Sequence, residues 1–344
     1  MRDELDGGNT AQHECLGGGI PRAECLGGGI PRSQASPTAS LPGAPVALGP
    51  RAAPRLAELL AFAAVYLIWG STYLGIRVAV QSLPPFLLAG ARSCSAGAAL
   101  LLFARLRGAR APSALEWRRA ALAGLLMLSL GNGLVTWAET YVPSNLAALS
   151  IAAVPSYVAL LDWLRPGGAR PTRRALIGVL IGLLGMLLLL RPDPGALRTS
   201  SWLPQLSLVV AGAAWAAGSL YARYQKLYPN AAVAGAQEML AGGGALLLVS
   251  LLRGEWHGFT PGAVTLRSWL AFVYLTVFGS MLAFSAFSWL VGNATPSRVS
   301  TTAYVNPAVA VVLGWLVLGE PLQPMTLAGG ALILCAVLVM TLRR

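Results

Sequence analysis

Charge is what this sequence has least of. Only 11% of its 344 residues are Asp, Glu, Lys or Arg, where a soluble domain carries about a quarter. That scarcity argues against an ordinary water-soluble globule. Histidine is nearly absent, and His13 and His257 have no partner at ligand spacing, so no zinc site is expected. Four cysteines make no disulfide framework: Cys15 and Cys25 lie near the amino end, Cys94 and Cys335 inside apolar stretches. The Gly-Gly-Gly runs near the amino end are not followed by Lys-Ser/Thr, which removes a phosphate loop and any ATP-driven role for this chain alone. The thirteen acids are scattered, five of them in the first 24 residues, and no His joins them in an apolar span. An intramembrane enzyme would need a convergent set, so the reading is not an enzyme and needs no cofactor.

What is present is apolar: 56% of residues, gathered into repeated blocks of about 20. Each block is long enough to cross a hydrocarbon core of about 30 Å as a helix, and none alternates as barrel strands do. The expected fold is an all-α polytopic membrane protein. Its ten transmembrane helices are placed near 58–79, 84–105, 119–140, 144–163, 174–191, 203–223, 231–252, 268–291, 297–318 and 325–342. Residues 1–54 are rich in Gly, Pro, Ala and Ser and hold two copies of ECLGGGIPR, at Glu14–Arg22 and Glu24–Arg32. Such a segment cannot bury a core and is expected to be disordered. A translation start assigned too far upstream would also explain it.

The net charge of +12 does not point to nucleic acid, because the basic residues sit in short loops and only one, Lys226, is a lysine. Sixteen of them fall on the side of the amino terminus and four (Arg191, Arg198, Arg253 and Arg267) on the other. By the positive-inside rule both termini face the cytoplasm.

The chain also repeats itself. Pro143–Gly168 and Pro296–Leu322 both open with Pro-Ser, carry an interior proline (Pro155, Pro307) and place a Trp eight residues later (Trp163, Trp315). Trp69 and Arg77 match Trp215 and Arg223; AGAR at Ala89–Arg92 matches AGAQ at Ala234–Gln237; RLRG at Arg105–Gly108 matches LLRG at Leu251–Gly254. The halves are 55–191 and 203–344, joined by Arg191–Trp202. Five spans per half is odd, so the second copy enters the bilayer from the opposite side. Proline-broken apolar segments in corresponding halves point to a transporter's central site.

Polar residues inside a bilayer are costly and persist where they face a cavity or a partner. Arg92 is either a counter-ion for an anionic or zwitterionic substrate or a hydrogen-bond anchor between spans. Glu238 either carries a coupling proton or is satisfied by Arg92 or backbone; Glu139 is the second proton candidate, unless it reaches water at the span's end. Asn132, Thr136 and Glu139 share one helix face and are read as cavity lining. Tyr66, Trp69, Tyr73 and Arg77 form an aromatic stripe topped by a cation, suited to a partly apolar or aromatic solute. An interfacial aromatic belt would explain Tyr66 or Arg77, but not Trp69 near mid-membrane. Thr72, Trp215, Ser285, Tyr304 and Asn306 complete the candidate substrate site, with Ser219, Ser288 and Trp289 beside it. Pro155 and Pro307 each remove a backbone donor and are candidate hinges. Gly178, Gly182, Gly185, Gly329 and Gly330 read as close-packing faces.

WGSTYLGIR at Trp69–Arg77, AGAR at Ala89–Arg92, GNGLVTWAE at Gly131–Glu139, Val154-Pro155 and YVNPAVAVVLGWLVLGEPL at Tyr304–Leu322 resemble the drug/metabolite transporter superfamily. Within it the sequence is similar to EamA-type exporters of the YedA-like group, over residues 58–342. The resemblance implies a ten-span inverted-repeat carrier moving small metabolites or drugs across the bacterial inner membrane. One departure is Gly168, which stands in the first half where Glu320 stands in the second. The expectation is therefore a secondary exporter working by alternating access around a central cavity, as a monomer or homodimer, with lipid and a small molecule as partners. The alternatives are a facilitator or importer on the same fold, or a membrane protein without transport.

Overall fold

Helix starts and stops are written into the chain as capping residues. Ser113 forms a capping box: its Oγ accepts from Glu116 N at 3.3 Å while the Glu116 carboxylate accepts from Ser113 N at 2.7 Å. Asn230 and Thr265 cap the starts of two later helices through Ala232 N and Ser268 N. Gly108, Gly167, Gly254 and Gly319 take φ of 84°, 75°, 71° and 63°, the left-handed region that lets a helix terminate and turn. These four are two matched pairs in the repeat, Gly108 with Gly254 and Gly167 with Gly319.

The computed structural model describes residues 55–168, 172–189, 202–225, 227–294, 296–299 and 301–341. The tail 1–54, whose disorder was expected, and the linker 191–201 lie outside the described residues. Among the described residues there are helices and turns and no strand. We label the helices α1 (Leu56–Ala79), α2 (Pro85–Leu106), α3 (Ala114–Ala138), α4 (Ser144–Leu164), α5 (Arg173–Leu189), α6 (Trp202–Tyr224), α7 (Ala231–Leu252), α8 (266–293), α9 (Thr302–Leu318) and α10 (Pro324–Thr341). Seven of them are long and apolar enough to cross a membrane: α1 to α4, α6, α7 and α8. Val305–Leu318 and Pro324–Met340 are shorter apolar helices.

Packing follows the glycines. α2 lies against α7, where a Cβ on Gly97 would stand 2.9 Å from Ala236 O and one on Gly243 2.8 Å from Cys94 Sγ. α5 lies against α10, where Gly185 and Gly329 meet backbone to backbone. The remaining neighbours include α3 with α6, α1 with α8, α4 with α6, α1 with α9, α3 with α7, α2 with α8, and α4 with α9. Exchanging each helix of the first five for its counterpart five places along turns this set of pairs into itself.

Three stretches depart from α-helical winding. Val65–Trp69 in α1, Leu125–Asn132 in α3 and Leu275–Leu282 in α8 are π-helical, so their hydrogen bonds close wider rings and rotate the side chains that follow. The proline sites differ. Pro155 opens Val154–Leu164 just after a break at Ala152-Ala153, whereas Pro307 sits inside an uninterrupted α9. The hinge expectation thus meets a broken helix in α4 and a continuous one in α9.

Candidate functional site

The polar groups of the bundle gather where α1, α2 and α3 meet. Arg92 on α2 is 7% exposed and donates from Nη2 to Asn132 Oδ1 at 2.6 Å, while its Nε has no partner among the described residues. Asn132 ends the π-helical stretch of α3, and its main-chain oxygen accepts from Thr136 Oγ1 at 2.9 Å. One turn on, Glu139 is 0% exposed and neither carboxylate oxygen has a hydrogen bond among the described residues. It does not reach water at the span end. Its charge lies within electrostatic reach of Arg77, Arg92 and Glu320, and Arg77 donates to its main-chain oxygen. Tyr73 packs beside Val135, Ala138 and Val142, within electrostatic reach of Glu139.

A buried charge without a bonded partner is expensive. Here two buried groups of opposite kind, the Glu139 carboxyl and Arg92 Nε, lack hydrogen-bond partners among the described residues and do not pair with each other. That arrangement can bind a small polar ion or zwitterion that supplies both missing partners.

The aromatic stripe of α1 does not meet one neighbour. The π-helical turn at Val65–Trp69 rotates Tyr66 relative to the residues after it, while Trp69 and Tyr73, joined by regular α-helix, are covered by different helices. Tyr66 bonds to Thr301 Oγ1. Trp69 packs on Phe287, ring centroids 4.9 Å apart, and its Nε1 donates to Gly279 O at 3.1 Å. Tyr73 and Arg77 turn instead toward α3. Trp215, the counterpart of Trp69, lies on Gly131, where a Cβ would meet its ring at 3.1 Å. Each tryptophan therefore rests on a glycine in the π-helical stretch of the other half. Thr72 donates to Trp69 O at 2.6 Å, and its methyl would be 3.2 Å from a Cβ on Gly279.

The other expected residues scatter. Asn306 on α9 keeps Oδ1 buried and unpartnered among the described residues, and its backbone oxygen abuts Gly70. Glu238 on α7 is 8% exposed, its backbone against Gly124, and it does not pair with Arg92, which bonds to Asn132. Ser285 is exposed. The side chains of Tyr304 and Ser288 lie outside the described residues. Two surface grooves, of about 380 Å³ (Leu247, Leu248, Leu251, Trp256) and about 290 Å³ (Pro85, Trp137, Thr140, Tyr141, Arg253, Glu255), flank the end of α7. Neither reaches Trp69, Asn132 or Asn306, which are packed against neighbouring helices. Among the described residues no three His, Cys, Asp or Glu side chains converge to hold a metal.

Two residues were not singled out from sequence. Gln237 is 0% exposed with both amide atoms unpartnered among the described residues, and only its place opposite Arg92 in the repeat marked it. Glu320 was noted as unmatched, but nothing local announced what it binds.

The EamA-like transporter family matches this chain twice, over residues 55–191 and 202–342. The chain is 40% identical to an uncharacterized inner membrane transporter, YedA, of Escherichia coli strain K12, over 80% of this chain and 88% of that protein. A probable terminal-alkyne amino-acid exporter of Streptantibioticus cattleyicolor is 29% identical over 80% of this chain and 90% of its own. A solved crystal structure superposes with a TM-score of 0.56 at 21% identity, over 83% of this chain and 97% of that one, a likeness of fold.

Proposed function

The chain belongs to the EamA-like transporter family, and from that premise we propose that it is a secondary exporter of small amino-acid-like or aromatic metabolites or drugs. It is a membrane transporter; substrate, direction and mechanism are our reading. Its ten helices all cross the bacterial inner membrane as two inverted five-helix repeats, with both termini cytoplasmic, and the halves rock around the region between Arg92 and Glu139. The reading is supported by the reciprocal neighbours of the helices, the paired left-handed glycines and the exchanged Trp–Gly contacts.

The observation that carries the site is Glu139, a fully buried carboxyl with no hydrogen bond among the described residues, beside the buried Arg92–Asn132 pair. A solute carboxylate meets Arg92 Nε, and its ammonium group, or a proton when the site is empty, meets Glu139. Trp69, Thr72, Tyr73, Thr136, Trp215, Glu238, Ser285, Tyr304 and Asn306 complete the path. Glu238 is the second proton carrier, and Pro155 and Pro307 are the hinges. Import or facilitated flow on the same fold differs only in direction, which counterflow in right-side-out vesicles reads.

A thermal-shift screen of the purified protein against amino acids and aromatic metabolites identifies a solute. Its flux into proteoliposomes then tests the site. Arg92→Ala and Glu139→Gln each cut the flux at least about tenfold, the loss of one charged hydrogen bond. Solute-specific flux unaffected by either change removes the site. Unchanged dependence on a pH gradient in both Glu139→Gln and Glu238→Gln removes the proton coupling.

A further inference from the structure

One end of the bundle is closed by carboxylates of the second half seated on helix starts of the first. Glu320 follows α9 and is 6% exposed. Its Oε1 accepts from Ser144 N at 2.7 Å, and its Oε2 accepts from Ser144 Oγ at 3.0 Å and Asn145 N at 3.0 Å. These are the first residues of α4, so an acidic group from elsewhere in the chain occupies the positive end of that helix. Glu255 follows α7 and treats α2 in the same way. It accepts from Leu87 N at 2.9 Å and Phe86 N at 3.4 Å, and is held by Ser250 Oγ at 2.8 Å.

The opposite end is built otherwise. There the halves are tied by the side-chain pairs Glu58 with Arg298, Tyr66 with Thr301, and Tyr224 Oη with Asp162 at 2.9 Å, and by Tyr228 Oη donating to Arg110 O at 3.2 Å. Among the described residues no carboxylate of one half sits there on a helix start of the other. The Glu320 end is also where the first part of α4 (Ser144–Ile151) packs on α9, while the second part (Val154–Leu164) packs on α6 and α5 instead. The turn that aims Glu320 depends on Gly319 at φ 63° and is closed by Glu320 N donating to Gly314 O at 3.1 Å.

We propose that Glu320, assisted by Glu255, is the latch that holds this end of the carrier shut, and that transport requires its release from the α4 helix start. Glu320 is a positioning residue: it touches no solute and acts by setting the closed-to-open ratio. An exposed carboxylate finds equivalent partners in water when the end opens, so the latch is reversible. A Gln keeps the shape but has a single accepting oxygen, so it loses at least one of the three bonds outright and the charge assistance of the rest. The first half has Gly168 at the matching position, so the device operates at one end only.

The proposal rests on the alternating-access reading, and its test is independent of flux. Spin labels are placed at Tyr141 and Gln323, both exposed, one just before α4 and one just after the α9–α10 turn, in a background with all four native cysteines replaced by serine. Distances are read in lipid nanodiscs by double electron–electron resonance. In the parent a short-distance population dominates. In Glu320→Gln the ratio of long to short distance rises roughly tenfold, and Glu255→Gln raises it by less. Ser144→Ala, which removes one hydroxyl donor and leaves both backbone donors, raises it least and guards against a variant that fails to fold. Glu320→Asp restores part of the short population. An unchanged distribution in folded Glu320→Gln, with only its melting temperature lowered, makes Glu320 a static cap and overturns the latch. Altered distances in a protein without solute flux would leave the latch standing and sink the carrier reading instead.

Discussion

The two family-matched segments, 55–191 and 202–342, agree in backbone and disagree in chemistry. Their left-handed glycines come in pairs, their third helices both carry π-helical stretches, and each offers a tryptophan to the other's glycine. Yet Arg92 bonds to Asn132 while the side chain of Gln237, in the matching place, has no partner among the described residues. Glu320 holds a helix start where the first half has Gly168. Trp69 donates to a carbonyl; Trp215 only packs. Backbone geometry tolerates duplication because close packing and chain reversal make the same demands in both copies. Polar groups are free to diverge because close packing and chain reversal make no demand on them.

The largest expected effect tests the Arg92–Gln237 contrast. Arg92→Ala strands Asn132 and costs about 2 kcal/mol, the usual worth of a charged hydrogen bond, read as a lower melting temperature in nanodiscs. Gln237→Leu removes an amide that bonds to nothing among the described residues and raises stability by about 1 kcal/mol. Equal destabilisation by both would erase the distinction. Next comes the glycine pair. Gly167→Ala and Gly319→Ala each force an L-residue into left-handed backbone at about 1–2 kcal/mol. Only Gly319→Ala shifts the Tyr141–Gln323 label distances, because only that turn aims a carboxylate. The smallest contrast is between the tryptophans. Trp69→Phe loses one hydrogen bond, about 1 kcal/mol, while Trp215→Phe changes the melting temperature by less than half as much. A larger loss at Trp215 would mean its packing on Gly131 outweighs the bond at Gly279.

Much of this was legible in advance because it is local. Apolar blocks of about 20 residues, prolines and glycines at matched offsets, and an Arg inside a span are properties of short stretches, and they led to the membrane helices, the duplication and Arg92. Asn132, Thr136 and Glu139 were placed together by helical spacing, and two hydrogen bonds now join Arg92, Asn132 and Thr136. Spacing put Trp69 and Tyr73 in one stripe, whereas Trp69 packs on Phe287 of α8 and Tyr73 packs toward α3, because which helix covers each side chain is set by tertiary packing. Arg92 and Glu238 were weighed as partners, but the bond goes to Asn132.

By itself the sequence determined that the chain is a membrane protein of apolar helices and that it carries two related copies, since hydrophobic length and turn chemistry act over a few residues. Only the tertiary structure decided which polar groups are paired and which are left unmet. Ser144 and Glu320 stand 176 positions apart, and no local pattern names a partner at that range. Their meeting depends on helix starts and loop ends brought to one end of the bundle by packing.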